Sequence, residues 1–282
     1  MMSQRWPNLW LGANVVTDLD SQVWICGAGV VSALGLDINT IGERLENGES
    51  GIRPQHQFDA EVFSNSLAAE VQNFKANAYV KQRKNLKLMS RSVRLGMGAI
   101  RLAVDDYQLD ETQPVDPDRF GVVVGAGIAL GQSRDLVAGI KQSFVDDEFC
   151  SARFGEVGMR AINPLWLLKG LSNNVLGFAT AELDARGFNQ NYCNSGISGL
   201  QAIGEAFWAL RERRADLLVA GGSDGTVDPF HFAGFSRIRA LSSAKTAEQV
   251  RPFDEERDGF VLGEGAAYFA LQRAADARQQ NR

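Results

Sequence analysis

The sequence is short of histidine and cysteine. Its 282 residues include two histidines, His56 and His231, and no HExxH-like pair, so we expect no histidine-rich metal site. The three cysteines, Cys26, Cys150 and Cys193, are far apart and odd in number, which excludes a disulfide framework and a CxxC metal knuckle. We therefore predict that the chain binds no metal and works in a reducing cytoplasm.

A basic excess and long apolar runs are also missing. The net charge of −5 and the isoelectric point near 5.2 argue against a nucleic-acid partner. No apolar run approaches the roughly 20 residues that span a bilayer, and the N-terminus lacks the basic start and apolar core of a secretory signal. The 45% of hydrophobic residues is ordinary for a globular protein with a full core.

Short apolar runs alternate with helical patterns, which indicates a layered α/β domain. Strands are predicted at residues 23–26, 121–125 and 216–221, with two more around the glycines of 259–271. Helices are predicted after Gly35, at 86–107, at 163–181 and at 195–213. Residues 50–85 are predicted to be irregular.

Cys193 stands between a predicted strand, 187–192, and a predicted helix that contains Gly196 and Gly199. A strand–turn–helix junction projects its turn residue outward, and the N–H groups and dipole of a helix start favour a thiolate. The alternative is an ordinary buried thiol, because most free cysteines are small buried hydrophobes. Spacing leaves both hypotheses open. Cys26 and Cys150 lack this context, and we predict structural roles for both.

The helix after Cys193 carries one apolar stripe at helical spacing. Its members are Ile197, Leu200, Ile203, Phe207 and Leu210. A stripe of this kind is the buried face of an amphipathic helix, so we predict that the helix packs centrally.

Six motifs, in order along the chain, resemble the elongating β-ketoacyl-[acyl-carrier-protein] synthases. They are VWICGAGVVSALG (23–35), GVVVGAGIALG (121–131), YCNSGISGLQAIGEA (192–206), ADLLVAGGSDG (215–225), FSRIRALS (235–242) and RPFDEERDGFVLGEGAA (251–267). The resemblance covers 22–275, between an N-terminal extension (1–21) and a C-terminal tail (276–282). It implies a thiolase-like layered α/β/α architecture, of which this chain holds one half of the duplicated fold.

The resemblance also implies site residues. Cys193 matches the cysteine that takes the acyl chain as a thioester, and its backbone N–H matches one oxyanion-hole donor. Ile128 matches a position that lines the acyl pocket near the dimer interface, and Phe235 matches a phenylalanine close to the cysteine. Glu264 is expected to be structural.

The same resemblance implies what this chain lacks. The family's two catalytic histidines, a lysine and a second oxyanion donor belong to the half that is absent. His56 and His231 stand where the family carries no catalytic histidine, so surface or packing roles are expected. The chain alone is not expected to condense anything, because decarboxylation of a malonyl thioester needs donors for the developing enolate.

The motif around the cysteine departs from the family's pattern. A small residue usually precedes the cysteine and threonine or serine follows it, whereas Tyr192 and Asn194 stand here. Residues 188–191 are unusually polar for the strand that pairs across the family's dimer axis. A polar strand suits a different, polar partner strand.

Two further motifs have ordinary explanations. Gly27-Ala28-Gly29 resembles a loose GxGxxG fingerprint, but no acidic residue ends a second strand about 20 residues later, so no nucleotide cofactor is expected. Two basic groups would suit an acidic carrier protein, although a solvated helix face explains them more simply. They are Lys81, Arg83, Lys84 and Lys87 with Arg91 and Arg94, and Arg211, Arg213 and Arg214.

Three hypotheses follow. The first is a half-length subunit that pairs with a full-length ketosynthase, as chain-length-factor-like partners do; the methionine start and the plausible domain edge at the end favour it. The second is an active synthase whose second half is supplied elsewhere or belongs to a longer chain. The third is a non-catalytic fragment or binding module. The first predicts an exposed apolar surface that a partner covers.

Overall fold

The computed structural model describes residues 22–59, 63, 66–109, 115–127 and 132–280. Its strands are β1 (Val23–Val31), β2 (Arg53–Pro54), β3 (Leu67–Ala69), β4 (Phe120–Ala126), β5 (Phe144–Val145), β6 (Glu148–Phe149), β7 (Gln190–Tyr192), β8 (Leu217–Gly225) and β9 (Leu262–Arg273). The main sheet has the order β1-β9-β8-β4-β7; β9 runs antiparallel to β1 and β8, while β4 is parallel to β8 and β7. The short β3 pairs with the start of β9 and with β2, and β5 and β6 form a separate hairpin.

Helices cover both faces of this mixed sheet. They are α1 (Ile38–Glu46), α2 (Arg91–Asp106), α3 (Ser133–Lys141), α4 (Ser151–Arg153), α5 (Met159–Ala161), α6 (Trp166–Lys169), α7 (Asn174–Leu183), α8 (Ser198–Arg211), α9 (Pro229–Arg237) and α10 (Ala274–Gln279). On one face α2 lies across β1, β9 and β8, next to α7. The helix α8 lies against β8 and β4, and its apolar cluster is separate from the one around α2. The predicted layered α/β fold is confirmed.

Several predicted boundaries are wrong. The helix expected at 86–107 begins at Arg91, because the Ser90 hydroxyl accepts from the Val93 N–H and caps it there. The helix expected at 163–181 is divided into α6 and α7. The two strands expected around Gly263–Gly265 are the single strand β9, paired on both sides.

Close packing of α2 on β1 explains the glycines of the first motif. The strand predicted to end at Cys26 continues to Val31, with a bulge between Ile25 and Gly27. A Cβ on Gly29 would lie 2.0 Å from the Ala99 carbonyl oxygen, and one on Gly27 would lie 2.5 Å from that of Ala103. These glycines therefore let a helix backbone touch the strand.

The predicted apolar stripe of α8 is confirmed only in part, because Leu210 is fully buried and Ile203 is half-buried against the same cluster, whereas Leu200 and Ile197 are exposed. The residues of α8 that are buried are Ser198, Ala202, Ala206, Ala209 and Leu210. The side chain of Leu200 is 77% exposed, and that of Ile197, just before the helix, is 63% exposed. The helix thus packs on the sheet mainly through small residues together with Leu210, and Leu200 near its start faces outward.

Gly29→Ala tests the α2–β1 contact. We expect it to lower the free energy of unfolding by about 1–3 kcal/mol, the usual range for overpacking a core. Gly42→Ala is the matched control, because a Cβ there has no atom within 4 Å and alanine suits a helix better than glycine. Urea unfolding followed by circular dichroism measures both. Equal stability of the two variants would contradict the contact.

Candidate functional site

Cys193 lies at the carboxyl edge of the parallel part of the sheet. It directly follows β7, and β7, β4 and β8 run in the same direction, so the carboxyl ends of all three strands meet at one edge. This edge is where open α/β sheets bind their ligands. The Cys193 side chain is exposed and unpaired with another cysteine, so the buried-thiol alternative is wrong.

The turn after Cys193 is fixed by hydrogen bonds. The Asn194 backbone N–H donates to the Ser198 Oγ at 2.7 Å, and that hydroxyl donates to the Ser195 carbonyl at 2.8 Å. Ser195 has a φ of 56°, a left-handed conformation that is unusual outside glycine and asparagine. The predicted helix at 195 begins instead with a 3₁₀ turn, Ser195–Ile197. The α-helical dipole of α8 therefore starts farther from the thiol than predicted.

A glycine brings the start of α8 onto the sheet. A Cβ on Gly125, near the end of β4, would lie 2.3 Å from the Ser198 carbonyl carbon. Only a residue without a side chain permits this approach. The cysteine turn is consequently held between β7 and the first residues of α8.

Asn191 is the polar neighbour of the thiol. Its side-chain Nδ2 donates to the Cys193 Sγ at 3.5 Å, a contact that helps to orient the sulfur. No pattern in the sequence indicated this contact, because Asn191 precedes the cysteine by two residues in a strand. The arrangement fits a nucleophile, and nucleophilicity itself stays a prediction.

The two unusual neighbours of Cys193 both interact with α8. Tyr192 packs against the apolar cluster between α8 and the sheet, and its hydroxyl bonds Glu205; burial, together with the charge of Glu205, raises the pKa of Tyr192. The Asn194 amide donates to the Gln201 side chain. Tyr192 and Asn194, which stand in place of the family's usual residues, therefore add contacts between the cysteine turn and α8.

Hydrogen bonds within this chain explain part of the polarity of the strand before Cys193. The Asn189 side chain accepts from the Val122 N–H and donates to the Ala185 carbonyl, both at 2.8 Å. β7 is the last strand of its sheet among the described residues. Its outer edge therefore offers backbone groups to a further strand, with Gln190 and Asn191 beside it.

Of the two remaining predicted site residues, the structure describes Phe235. Phe235 belongs to α9 and meets Phe260 edge-on, with ring centroids 5.2 Å apart, in a cluster with the buried Phe232 and Leu262. Ile128 lies outside the described residues. The roles assigned to both stay predictions.

The two histidines have different surroundings, and His231 lines a cavity together with Asp224. His56 is exposed, and its backbone N–H donates to Glu70 at 3.2 Å. His231 lies in α9, and no hydrogen-bond partner of its buried Nδ1 is found among the described residues. Within that same part of the chain, no helix is long and apolar enough to cross a membrane, and no three His, Cys, Asp or Glu side chains cluster as metal ligands.

An open cavity of about 550 Å³ adjoins the cysteine turn. One wall is formed by Ser195 of the cysteine turn and by Gly199 and Leu200 of α8, and the other is the sheet surface formed by β1, β8 and β9. The lining is mainly apolar and open to solvent. A groove of this kind accepts an apolar element that packs beside α8.

A parallel strand, a fixed turn and an exposed cysteine together define a class of protein: a layered α/β fold that presents a thiol at the carboxyl edge of its sheet. Comparison with known proteins makes the class specific. The family profile described as "Beta-ketoacyl synthase, N-terminal domain" matches residues 20–277. This chain belongs to that family.

Individual relatives agree with the family. The 3-oxoacyl-[acyl-carrier-protein] synthase 2 of Staphylococcus aureus (strain COL) is 32% identical over 265 residues, which are 93% of this chain and 60% of the relative. The protein of the same name from Coxiella burnetii is 32% identical over 262 residues, 92% of this chain and 60% of the relative. The chain therefore spans about three fifths of the length of these relatives.

Solved structures confirm the thiolase-like architecture. The ishigamide ketosynthase/chain length factor matches with a TM-score of 0.75 and 27% identity over 92% of this chain and 60% of that chain. A β-ketoacyl synthase from Burkholderia phymatum matches with a TM-score of 0.73 and 25% identity, at the same two coverages.

Alkylation tests the exposed thiol. With iodoacetamide at neutral pH, we expect Cys193 to be modified at least about tenfold faster than the half-buried Cys26 and Cys150, because reaction needs an accessible thiolate. Intact-mass and peptide mass spectrometry measure the rates, and Cys193→Ala should lose the fast phase. Slow labelling of Cys193 in the folded chain would return it to a structural role.

Proposed function

We propose that this chain is a ketosynthase-family subunit of a type II fatty-acid or polyketide system. In this proposal it pairs with a full-length ketosynthase, as a chain-length-factor-like partner, during elongation of carrier-protein-bound acyl chains. The observation that carries the proposal is the outward apolar face at the start of α8, next to the cysteine turn. We also propose that the chain works in the cytoplasm.

Apolar exposure is not confined to α8. Beside Leu200 and Ile197 lies the open groove over β1, β8 and β9. Phe253 is 99% exposed and has a φ of 64°, an uncommon conformation for a bulky residue. Apolar side chains held in this way fit a surface that another protein element covers.

The edge of β7 supports pairing with a second subunit. Its outer backbone groups are open to a strand from a partner, and the polar side chains of Gln190 and Asn191 suit a partner strand that differs from this one. The related ishigamide structure is described as a ketosynthase together with a chain length factor. A heterodimer is the arrangement that these features support.

A carrier protein is the second proposed partner. The names of the curated relatives include an acyl carrier protein. Lys81, Arg83, Lys84 and Lys87 are exposed and form a basic surface for an acidic carrier. Arg91 and Arg94 do not belong to this surface, because Arg91 binds the buried Glu264 through two hydrogen bonds and Arg94 is half-buried.

Cys193 is proposed to hold the acyl chain, with Ile128 and Phe235 along the acyl path. Thioester formation would transfer the acyl group from the carrier's thiol to Sγ, with the carrier thiol leaving. An active synthase is the second candidate, and the contact from Asn191 to the thiol favours it. That candidate needs catalytic histidines from another half, because His56 and His231 do not match the family's catalytic positions and an enolate needs such donors.

Co-purification tests the partnership. After co-expression with a full-length ketosynthase from the same locus, we expect a stable complex of the two chains. Leu200→Glu should weaken it by about tenfold or more, because burying a charge without a partner is costly. Leu45→Glu is the matched control, since Leu45 in α1 is also exposed. Size-exclusion chromatography with light scattering gives the mass. A monomer that never associates would refute the partnership.

Decarboxylation by the isolated chain tests whether its own residues catalyse the reaction. The chain purified alone should release no carbon dioxide from malonyl-carrier protein above the level of Cys193→Ala, because donors for the developing enolate are missing. Radiometric capture of the released gas measures this. Sustained release by the chain alone would show that its own residues catalyse the reaction.

A further inference from the structure

A second cavity, of about 510 Å³, lies beside the N-terminal ends of α2 and α3. It is lined by four cationic side chains, Lys75, Arg91, Arg94 and Arg134, and by one carboxylate, Glu70. Cys193 and α8 do not line it. The cavity therefore goes beyond the proposed function and does not rest on it.

The three arginines differ in the groups that pair with their guanidinium charges. Arg91 is neutralised by Glu264 at 2.6 Å and lies over the Phe74 ring. Arg94 donates from Nη2 to the Leu86 carbonyl at 2.8 Å, while its buried Nε finds no partner among the described residues. Arg134 donates to the Gln132 side chain at 2.7 Å.

Positive charge is in excess here. In the part of the chain that the structure describes, no ion pair within 4.0 Å joins a carboxylate to Arg94 or Arg134. Among the described residues that line the cavity, four cations face Glu70, and Glu264 pairs with Arg91, which leaves an excess of two positive charges. Burial, followed by the charges of Arg134 and Arg91, lowers the pKa of Arg94.

The N-terminal end of α2 increases the imbalance. Arg91 lies in the first turn of α2, which has no acidic residue, whereas the first turn of α3 contains Asp135 beside Arg134. A cation is unfavourable at this end of a helix, where the dipole is positive and anions are preferred. The end of α2 is therefore stabilised when an anion binds in the cavity.

We propose that this cavity binds a phosphate group, with Arg94 and Arg134 as its main ligands. A phosphate monoester carries a charge near −2 and three acceptor oxygens, which matches the excess of two charges and the planar donor groups of arginine. The cavity is within the range of small-molecule sites, roughly 300–1,000 Å³. It accommodates either free phosphate or a phosphate ester of a small molecule.

Phosphorus NMR tests the site on the full chain. Inorganic phosphate and propyl phosphate are titrated separately at about 0.15 M ionic strength, where weak surface attraction is screened. We expect saturable binding. Arg134→Gln and Arg94→Gln should each weaken it by about tenfold or more, since one charge-assisted hydrogen bond contributes at least this much.

Arg101→Gln is the matched control, because this exposed arginine of α2 pairs with Asp105 and does not line the cavity. It should bind as the unchanged chain does, and circular dichroism confirms that each variant is folded. Tighter binding of propyl phosphate indicates an ester ligand, and equal binding indicates the free ion; both support the site. Binding that does not saturate, or that Arg101→Gln weakens as much, overturns the proposal.

Discussion

The contact between the small-residue side of α8 and the sheet governs the rest of the structure. Gly125 lets the first residues of α8 contact β4. The buried alanines of α8 let the helix pack closely on β8 and β4. Because α8 begins just after the cysteine turn, this contact also fixes the position of Cys193. The same contact directs Leu200 and its neighbours away from the core.

One helix therefore has two packing surfaces. The inner surface packs on the sheet, whereas the outer one exposes Trp208 and Leu200, and Leu200 lines an open and mainly apolar cavity. A single exposed leucine is normal in a protein, but one beside an open apolar cavity fits an interaction site. The position of this surface, beside an exposed thiol at the carboxyl edge of the sheet, links the proposed assembly to the proposed acyl chemistry.

The fold class and the cysteine turn could be predicted from the sequence, because apolar runs, glycines and the family motifs mark them directly. The packing of α8 could not. Leu200, Ile203 and Leu210 form a stripe at helical spacing, and periodicity shows which residues share a face but not what covers it. The contact of Asn191 with the thiol and the arginine cavity could not be predicted from the sequence either. Both depend on how the strands and helices are placed in three dimensions. Ile128 lies outside the described residues, and its role rests on the resemblance alone.

Hydroxyl-radical footprinting measures the central claim, that the outer face of α8 is an uncovered interface. In the isolated chain, Leu200 and Trp208, both largely exposed, should be oxidised readily. With a full-length ketosynthase bound, oxidation of Leu200 should fall several-fold while that of Leu45 in α1 stays unchanged. A complex in which Leu200 is oxidised as fast as in the isolated chain would contradict the account.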